Sequence, residues 1–161
     1  MASSPIGLHG SGALPPRLVV AGSDALAARL VEELVKLEEM ANLDNLVTAV
    51  VRDEHGPFAR RMRDLHAALV EGDPRDPATL RTAGVGHARA LALLADDDVG
   101  NMHAALAAQE LNPGLRLVIR MFNRRLGERI EHMFDDCTVL SSSAIAAPFF
   151  VDAAWATARS T

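Results

Sequence analysis

The sequence predicts an α/β protein built on a doubly wound, parallel sheet of six strands, and three observations predict it. From Arg17 onward, short apolar runs alternate with segments of helical periodicity, the pattern of a parallel sheet covered on both faces. The first run ends in Gly22-Ser23-Asp24-Ala25, which reads as a tight strand-to-helix turn. The 161 residues are 49% hydrophobic and 23% charged, enough for one domain with its own core.

Residues 1–16, rich in Ser, Gly and Pro, are expected to form a poorly ordered tail, ahead of a folded lobe over 17–141. The first strand is Leu18 to Ala21, followed by a helix with a stripe of Leu26, Leu30, Leu34 and Leu37 at helical spacing. A polar turn from Asn42 to Asn45 leads into the second strand, Leu46 to Val51. The third, Ala68 to Glu71, stops at Gly72-Asp73-Pro74, where proline blocks further pairing. The fourth is Ala90 to Ala95. Asp96-Asp97-Asp98 then opens a helix carrying Val99, Met102, Leu106 and Leu111, which ends at Asn112-Pro113-Gly114. The fifth strand is Leu117 to Met121, followed by a helix through Leu126, Ile130, Met133 and Phe134. The sixth is Thr138 to Leu140. Right-handed crossovers wind such a chain in the order 3-2-1-4-5-6, a Rossmann-like sheet.

The first turn suggests the chemistry. An intact dinucleotide fingerprint, G-x-G-x-x-G, uses its glycines for the tight turn, for close approach of the pyrophosphate and for helix packing. Gly22, Asp24 and Ala27 hold those three positions here. A bare carboxylate ~4 Å from a phosphate charge costs about 4 kcal/mol at an effective dielectric of 20, so Asp24 argues against a tightly bound dinucleotide. A ligand that does bind belongs over the carboxyl ends of strands one, two and four. It would touch Gly22, Ser23, Asp24, Ala25, Arg52, Asp53, Asp73 and Ala95. The expected cofactor is none bound tightly, with weak binding of an adenine nucleotide (NAD(P), ATP, ADP or AMP) as the alternative.

Other chemistry is weaker. The net charge is −5, which disfavours nucleic acid, since counterion release needs clustered cations. Arg60, Arg61 and Arg63 form the one dense basic group and read as a solvated helix face. A single cysteine, Cys137, leaves no disulfide framework. Asp96-Asp97-Asp98 offers hard oxygen ligands for a cation, but acidic residues at a helix start more simply cap free amides. The histidines show no ligand-pair spacing, and no metal is expected. No run of residues is long and apolar enough to be read as a membrane span, and the N-terminus does not read as a signal peptide, so the chain is expected to be cytoplasmic.

The segment 142–161 reads as an alanine-rich helix with Ile145, Phe149, Phe150, Val151 and Trp155 around more than one face. One side of one sheet cannot bury them all, and a partner is expected to cover some. The competing reading has all five completing the domain's own core.

The order of short motifs carries a resemblance. Gly72-Asp73-Pro74-Arg75-Asp76-Pro77-Ala78-Thr79-Leu80, Ala83-Gly84-Val85, Ala88-Arg89-Ala90, Asp96-Asp97-Asp98 with Asn101, and Glu110-Leu111-Asn112-Pro113 resemble the regulator of potassium conductance domain, also called TrkA-N. Arg120-Met121-Phe122-Asn123, Leu126-Gly127-Glu128-Arg129-Ile130 and Ser143-Ala144-Ile145-Ala146-Ala147-Pro148 are similar to a branch found in bacterial ion-transport proteins. The resemblance implies a cytosolic lobe, tethered to a membrane pore or transporter, that homodimerises through its last helix and senses a nucleotide or ion. Ile145, Phe149, Phe150 and Trp155 are then the interface anchors, and Asp73 matches the position near the adenosine, with a turn cap ahead of Pro74 as its equally weighted alternative. The family commonly ends strand two with an acidic residue for the ribose. Here Arg52 stands there, with Asp53 and Glu54 just beyond; an arginine suits a ribose phosphate, and equally reads as an ordinary strand-end residue.

Three functions remain open at this point. The favoured one is a non-enzymatic regulatory domain of a potassium channel or transporter. The second is a cofactor-free scaffold. The third is an NAD(P)-dependent oxidoreductase, disfavoured because the chain has no Tyr to serve as the usual proton donor and no room for a substrate domain.

Overall fold

A computed structural model describes residues 17–43 and 45–141. The expected N-terminal tail (1–16) and last helix (142–161), with Ile145, Phe149, Phe150 and Trp155, lie outside the described residues.

Six strands, β1 (Arg17–Ala21), β2 (Val47–Val51), β3 (Ala68–Glu71), β4 (Ala88–Leu93), β5 (Arg116–Met121) and β6 (Cys137–Ser141), alternate with five α-helices. These are α1 (Ala25–Met40), α2 (Pro57–Asp64), α3 (Pro77–Thr82), α4 (Asp98–Leu111) and α5 (Arg124–Met133). The strand order is β3-β2-β1-β4-β5-β6 and every pairing is parallel, as the crossover rule requires. Period-two alternation sends side chains to opposite faces. Val20, Ala49 and Val51 pack with Ala27, Ala28 and Val31 of α1 and Met62 of α2. Leu91, Leu93, Leu117 and Ile119 pack with Leu80, Ala104, Ala105, Ala108 and Ile130 on the other side.

Capping follows the sequence. Asp24, Asp76, Asp97 and Asn123 stand at the N-caps of α1, α3, α4 and α5, and each side chain accepts a backbone N–H of the first turn, satisfying an otherwise orphan donor. The polar turn before β2 adopts left-handed backbone at Asn42 and Asn45, which Asn tolerates better than most residues.

Two expectations are corrected. The fourth strand spans Ala88–Leu93 rather than 90–95. Its pairing begins at Arg17↔Ala88, ahead of a register shift, and its apolar run continues past the last ladder residue into the cleft. The helical stripes also misidentify the buried faces. In α4 the buried residues are Gly100, Asn101, Ala104, Ala105 and Ala108, whereas Val99 and Leu106 are 54% and 41% exposed. In α1, Ala27, Ala28 and Val31 are buried while Leu37 is exposed. Small side chains let these helices approach the sheet closely, which displaces the large leucines to the flank.

Candidate nucleotide cleft

At the carboxyl ends of β1 and β2, where the chain order reverses beside β4, lies a cavity of about 240 Å³. Ala21, Gly22, Ser23, Asp24, Arg52 and Ala95 contribute to its lining, together with Val50, Pro74 and Asp96. A switch point of this kind is where open α/β sheets accept ligands. Of the residues expected from sequence, Gly22, Ser23, Asp24, Arg52 and Ala95 line the cavity. Ala25 is the first residue of α1, and Asp53 and Asp73 lie outside the lining.

Gly22 is required by packing. A Cβ built on it would stand 2.8 Å from the Ala27 Cβ and 3.3 Å from that of Leu94, so the turn and α1 close on β4 only with glycine there. Ser23 Oγ accepts the Arg52 N–H at 3.1 Å, fastening the first turn to the end of β2. The Arg52 side chain makes no ion pair among the described residues.

The Asp24 carboxylate is not bare. Oδ1 accepts the Ala27 N–H at 3.0 Å, and Oδ2 accepts Arg120 Nη1 at 2.8 Å. The same Nη1 donates to the Leu94 carbonyl at 3.2 Å, and the guanidinium lies 4.8 Å from the Phe122 ring centroid. The Arg120 side chain is only 17% exposed, against 42% for Asp24, and its buried Nε has no partner among the described residues. An anion therefore already occupies the N-terminus of α1, the place where a bound pyrophosphate meets free amides and the positive end of the dipole. Sequence reasoning supplied the carboxylate and missed the arginine, which lies 96 positions away on β5, two strands from β1 in the sheet.

Asp73 is engaged as a turn cap. Its Oδ1 accepts the Arg75 N–H at 2.9 Å, and the Arg75 side chain contacts both carboxylate oxygens. These side-chain and backbone hydrogen bonds hold the carboxyl down to about 2, against an ordinary 3.8. A depressed acid stabilises the fold above its unfolded value and loses that contribution as pH falls through the folded one. Asp73→Asn is therefore expected to remove a small part of the loss in melting temperature between pH 4 and pH 2, under about 1 kcal/mol because the pair is solvent-exposed. Melting curves across that range check it.

The three consecutive acids have separate tasks. Asp97 caps α4 through Gly100, and Asp98 accepts the N–H groups of Phe122 and Asn123, both at 2.8 Å. Asp96 lines the cleft. Beside them the buried Asn101 donates from Nδ2 to the carbonyls of Ala95 and Arg120, each at 2.9 Å, and so bridges the ends of β4 and β5. Asp53, His55 and Glu71 bring ligand-type atoms within 4.8 Å of one another, all exposed. The sequence concealed this grouping because Glu71 comes from β3, although Glu71 Oε2 and Asp53 Oδ1 are each already hydrogen-bonded by a loop N–H.

The profile of the TrkA-N domain matches residues 18–137. The chain belongs to the TrkA-N domain family. This TrkA-N domain is 22% identical over 118 residues to the voltage-gated potassium channel Kch of Escherichia coli (strain K12), covering 73% of the chain but 27% of that channel. It thus spans about a quarter of the relative's length. Among solved structures, the TrkA-N domain of the inner membrane protein ybaL from Escherichia coli superposes with a TM-score of 0.68 at 12% identity, covering 86% of this chain and 96% of that one. The NAD(P)-binding domain of an exopolyphosphatase-related protein from Archaeoglobus fulgidus gives 0.67 at 21% identity, over 85% and 96%. The AMP-bound Kef C-terminal domain of Shewanella denitrificans gives 0.62 at 16%, over 81% and 73%. Together they show that the TrkA-N domain has the fold of these proteins. No described helix is long and apolar enough to cross a membrane.

Proposed function

We propose that this TrkA-N domain is a regulatory, non-catalytic module of a potassium channel or transporter, which binds an adenine nucleotide weakly in the cleft at the ends of β1, β2 and β4. The observation that carries the reading is the Asp24–Arg120 pair at the N-terminus of α1. The carboxylate takes the place of a diphosphate, while Arg52 at the mouth keeps a cation available to a phosphate. The AMP-bound Kef domain and the kinship with Kch support the ligand class and the setting. NAD and NADH, whose diphosphate must cross the α1 N-terminus, bind less well than AMP or ADP. In this reading the domain is cytoplasmic, tethered to its membrane partner, and dimerises through residues 142–161. Ligand acts by favouring one of two dimer geometries, which requires that it contact them differently.

The test is a thermal-shift and calorimetric series with AMP, ADP, ATP, NAD, NADH and NADP. A ligand at one hundred times its dissociation constant adds about 2.7 kcal/mol of stability. The expected outcome is stabilisation by AMP or ADP at millimolar concentration, reduced several-fold in Arg52→Ala. Stabilisation by none of the six favours the scaffold reading, in which the Asp24–Arg120 pair is the cleft's permanent occupant. Reduction of a carbonyl substrate by NADPH would contradict both.

A further inference from the structure

Charge is ordered along the cleft, and the order is the reverse of what a 5′-diphosphate needs. The strands pass beneath it in the sequence β2-β1-β4. Arg52 follows the end of β2, Asp24 lies in the turn after β1, and Asp96 lies beyond the end of β4, all three in the cavity lining. In doubly wound folds the phosphates carried by the ribose 5′ carbon meet the N-terminus of the first helix. Here the Asp24 carboxylate meets it instead, with Asp96 on the same side of the cleft, so carboxylates line the end where a 5′-phosphate belongs.

The opposite end holds a cation with nothing to neutralise it. The Arg52 side chain makes no ion pair among the described residues, although acids stand close to it in the chain. Asp53 Oδ1 accepts the His55 N–H at 2.9 Å, Glu54 pairs with Arg63 at 3.6 Å, and Asp73 is held by Arg75. The Arg52 charge reaches Asp73 and helps to keep its carboxyl low, but no contact joins them. The backbone of Arg52 is fixed to the first turn by the bond from its N–H to Ser23 Oγ. The residue at the end of the second strand is the one that faces the ribose hydroxyls of a nucleoside bound at such a switch point.

We propose that this cleft selects nucleotides that carry phosphate on the ribose 2′ or 3′ oxygen over those that carry it at the 5′ oxygen, and that Arg52 binds that phosphate; the selection rests on the nucleotide reading of the cleft and adds the position of the charge. A guanidinium fork suits a phosphate monoester, which accepts two parallel N–H bonds from it. Ala21, Val50, Pro74 and Ala95 supply apolar wall for the nucleoside. The volume of about 240 Å³ lies below the roughly 300 Å³ at which pockets for larger ligands begin, which suits a mononucleotide better than a dinucleotide.

The adenosine 2′-, 3′- and 5′-monophosphates share one composition and charge and differ only in the oxygen that carries the phosphate, so calorimetric titration of the three reads the selection directly. The 2′ or the 3′ isomer is expected to bind about tenfold more tightly than the 5′ isomer. That advantage is expected to shrink with added salt, because the contact is exposed and therefore screened. Arg52→Ala is expected to weaken the favoured isomer more than the 5′ isomer and so remove the preference. Arg52→Glu is expected to reject the 2′ and 3′ isomers while still binding adenosine. Both variants keep the backbone bond to Ser23, and circular dichroism checks that they fold; should either unfold, the comparison of isomers on the unmodified domain still decides the matter. Equal affinities, or tightest binding of the 5′ isomer, would overturn the selection and leave the nucleotide site standing. A preference that survives in folded Arg52→Ala would overturn the role of Arg52. Binding of neither adenosine nor any isomer would overturn the nucleotide reading along with it.

Discussion

Asp24→Gly is expected to tighten the binding of NAD between about tenfold and a hundredfold, while lowering the stability of the fold by about 1–3 kcal/mol. The two effects share one origin. Removing the carboxylate frees the first amides of α1 and releases Arg120 to face a phosphate, so the helix N-terminus regains its affinity for an external anion. It also strips the Arg120 side chain, which is 17% exposed, of its counter-ion, leaving a charge that the fold must accommodate unpaired. The loss of the cap itself is the smaller part, because glycine is a tolerable N-cap. The gain falls short of the full repulsion of a bare carboxylate because Arg120 already neutralises much of that charge. Arg120→Ala is the opposite case. It leaves Asp24 uncompensated, and nucleotide affinity should fall below that of the unmodified domain. Titration calorimetry with both variants, alongside circular dichroism to confirm folding, reads both effects.

Asn101→Leu is expected to destabilise the domain by about 2–4 kcal/mol, with loss of order concentrated at the cleft. Leucine fills a similar volume but cannot donate to the carbonyls of Ala95 and Arg120. Two buried acceptors then lose their partner at the ends of β4 and β5, and each unsatisfied group costs about 1–3 kcal/mol. Because the Arg120 side chain leaves the strand at the same point, its hold on Asp24 should loosen as well. Chemical denaturation measures the stability change. Amide exchange should show faster opening at residues 94–96 and 120–123 than in the sheet centre. A loss spread evenly over the domain would mean that Asn101 contributes only bulk stability.

The sheet was legible because its signals are local. Each strand is a short apolar run closed by polar or proline-containing turns, and the connections leave one consistent topology. The cap of α4 within Asp96-Asp97-Asp98 was legible for the same reason, since a cap and its helix are adjacent in sequence, whereas the caps formed by Asp24 and Asp76 were not read. Three features were hidden, each because it depends on the third dimension. The buried faces of α1 and α4 are mostly alanine and glycine, with Val31 and Asn101 among them; the value of the small residues lies in how closely they let a helix approach, and a search for large apolar residues selects the flanks instead. Those leucines are not misplaced: Leu26, Leu30 and Leu34 line an apolar groove against the sheet.

The second hidden feature is the partner of Asp24. A carboxylate in a phosphate-binding turn reads as repulsive in one dimension, and only the packing of β5 beyond β4 brings Arg120 to it. The third is the state of Asp73. Its position before Pro74 admits either a ligand or a cap, and the contact with Arg75, two residues on, shows the carboxylate engaged locally.

In this TrkA-N domain the anion site at the N-terminus of α1 is filled by the chain's own Asp24. The most direct measurement is calorimetric titration of NAD into the unmodified domain and into Asp24→Gly under identical salt. The prediction is weak or undetectable binding by the first and at least tenfold tighter binding by the second. Tight binding of NAD by the unmodified domain, or a folded Asp24→Gly with no gain in affinity, would contradict it.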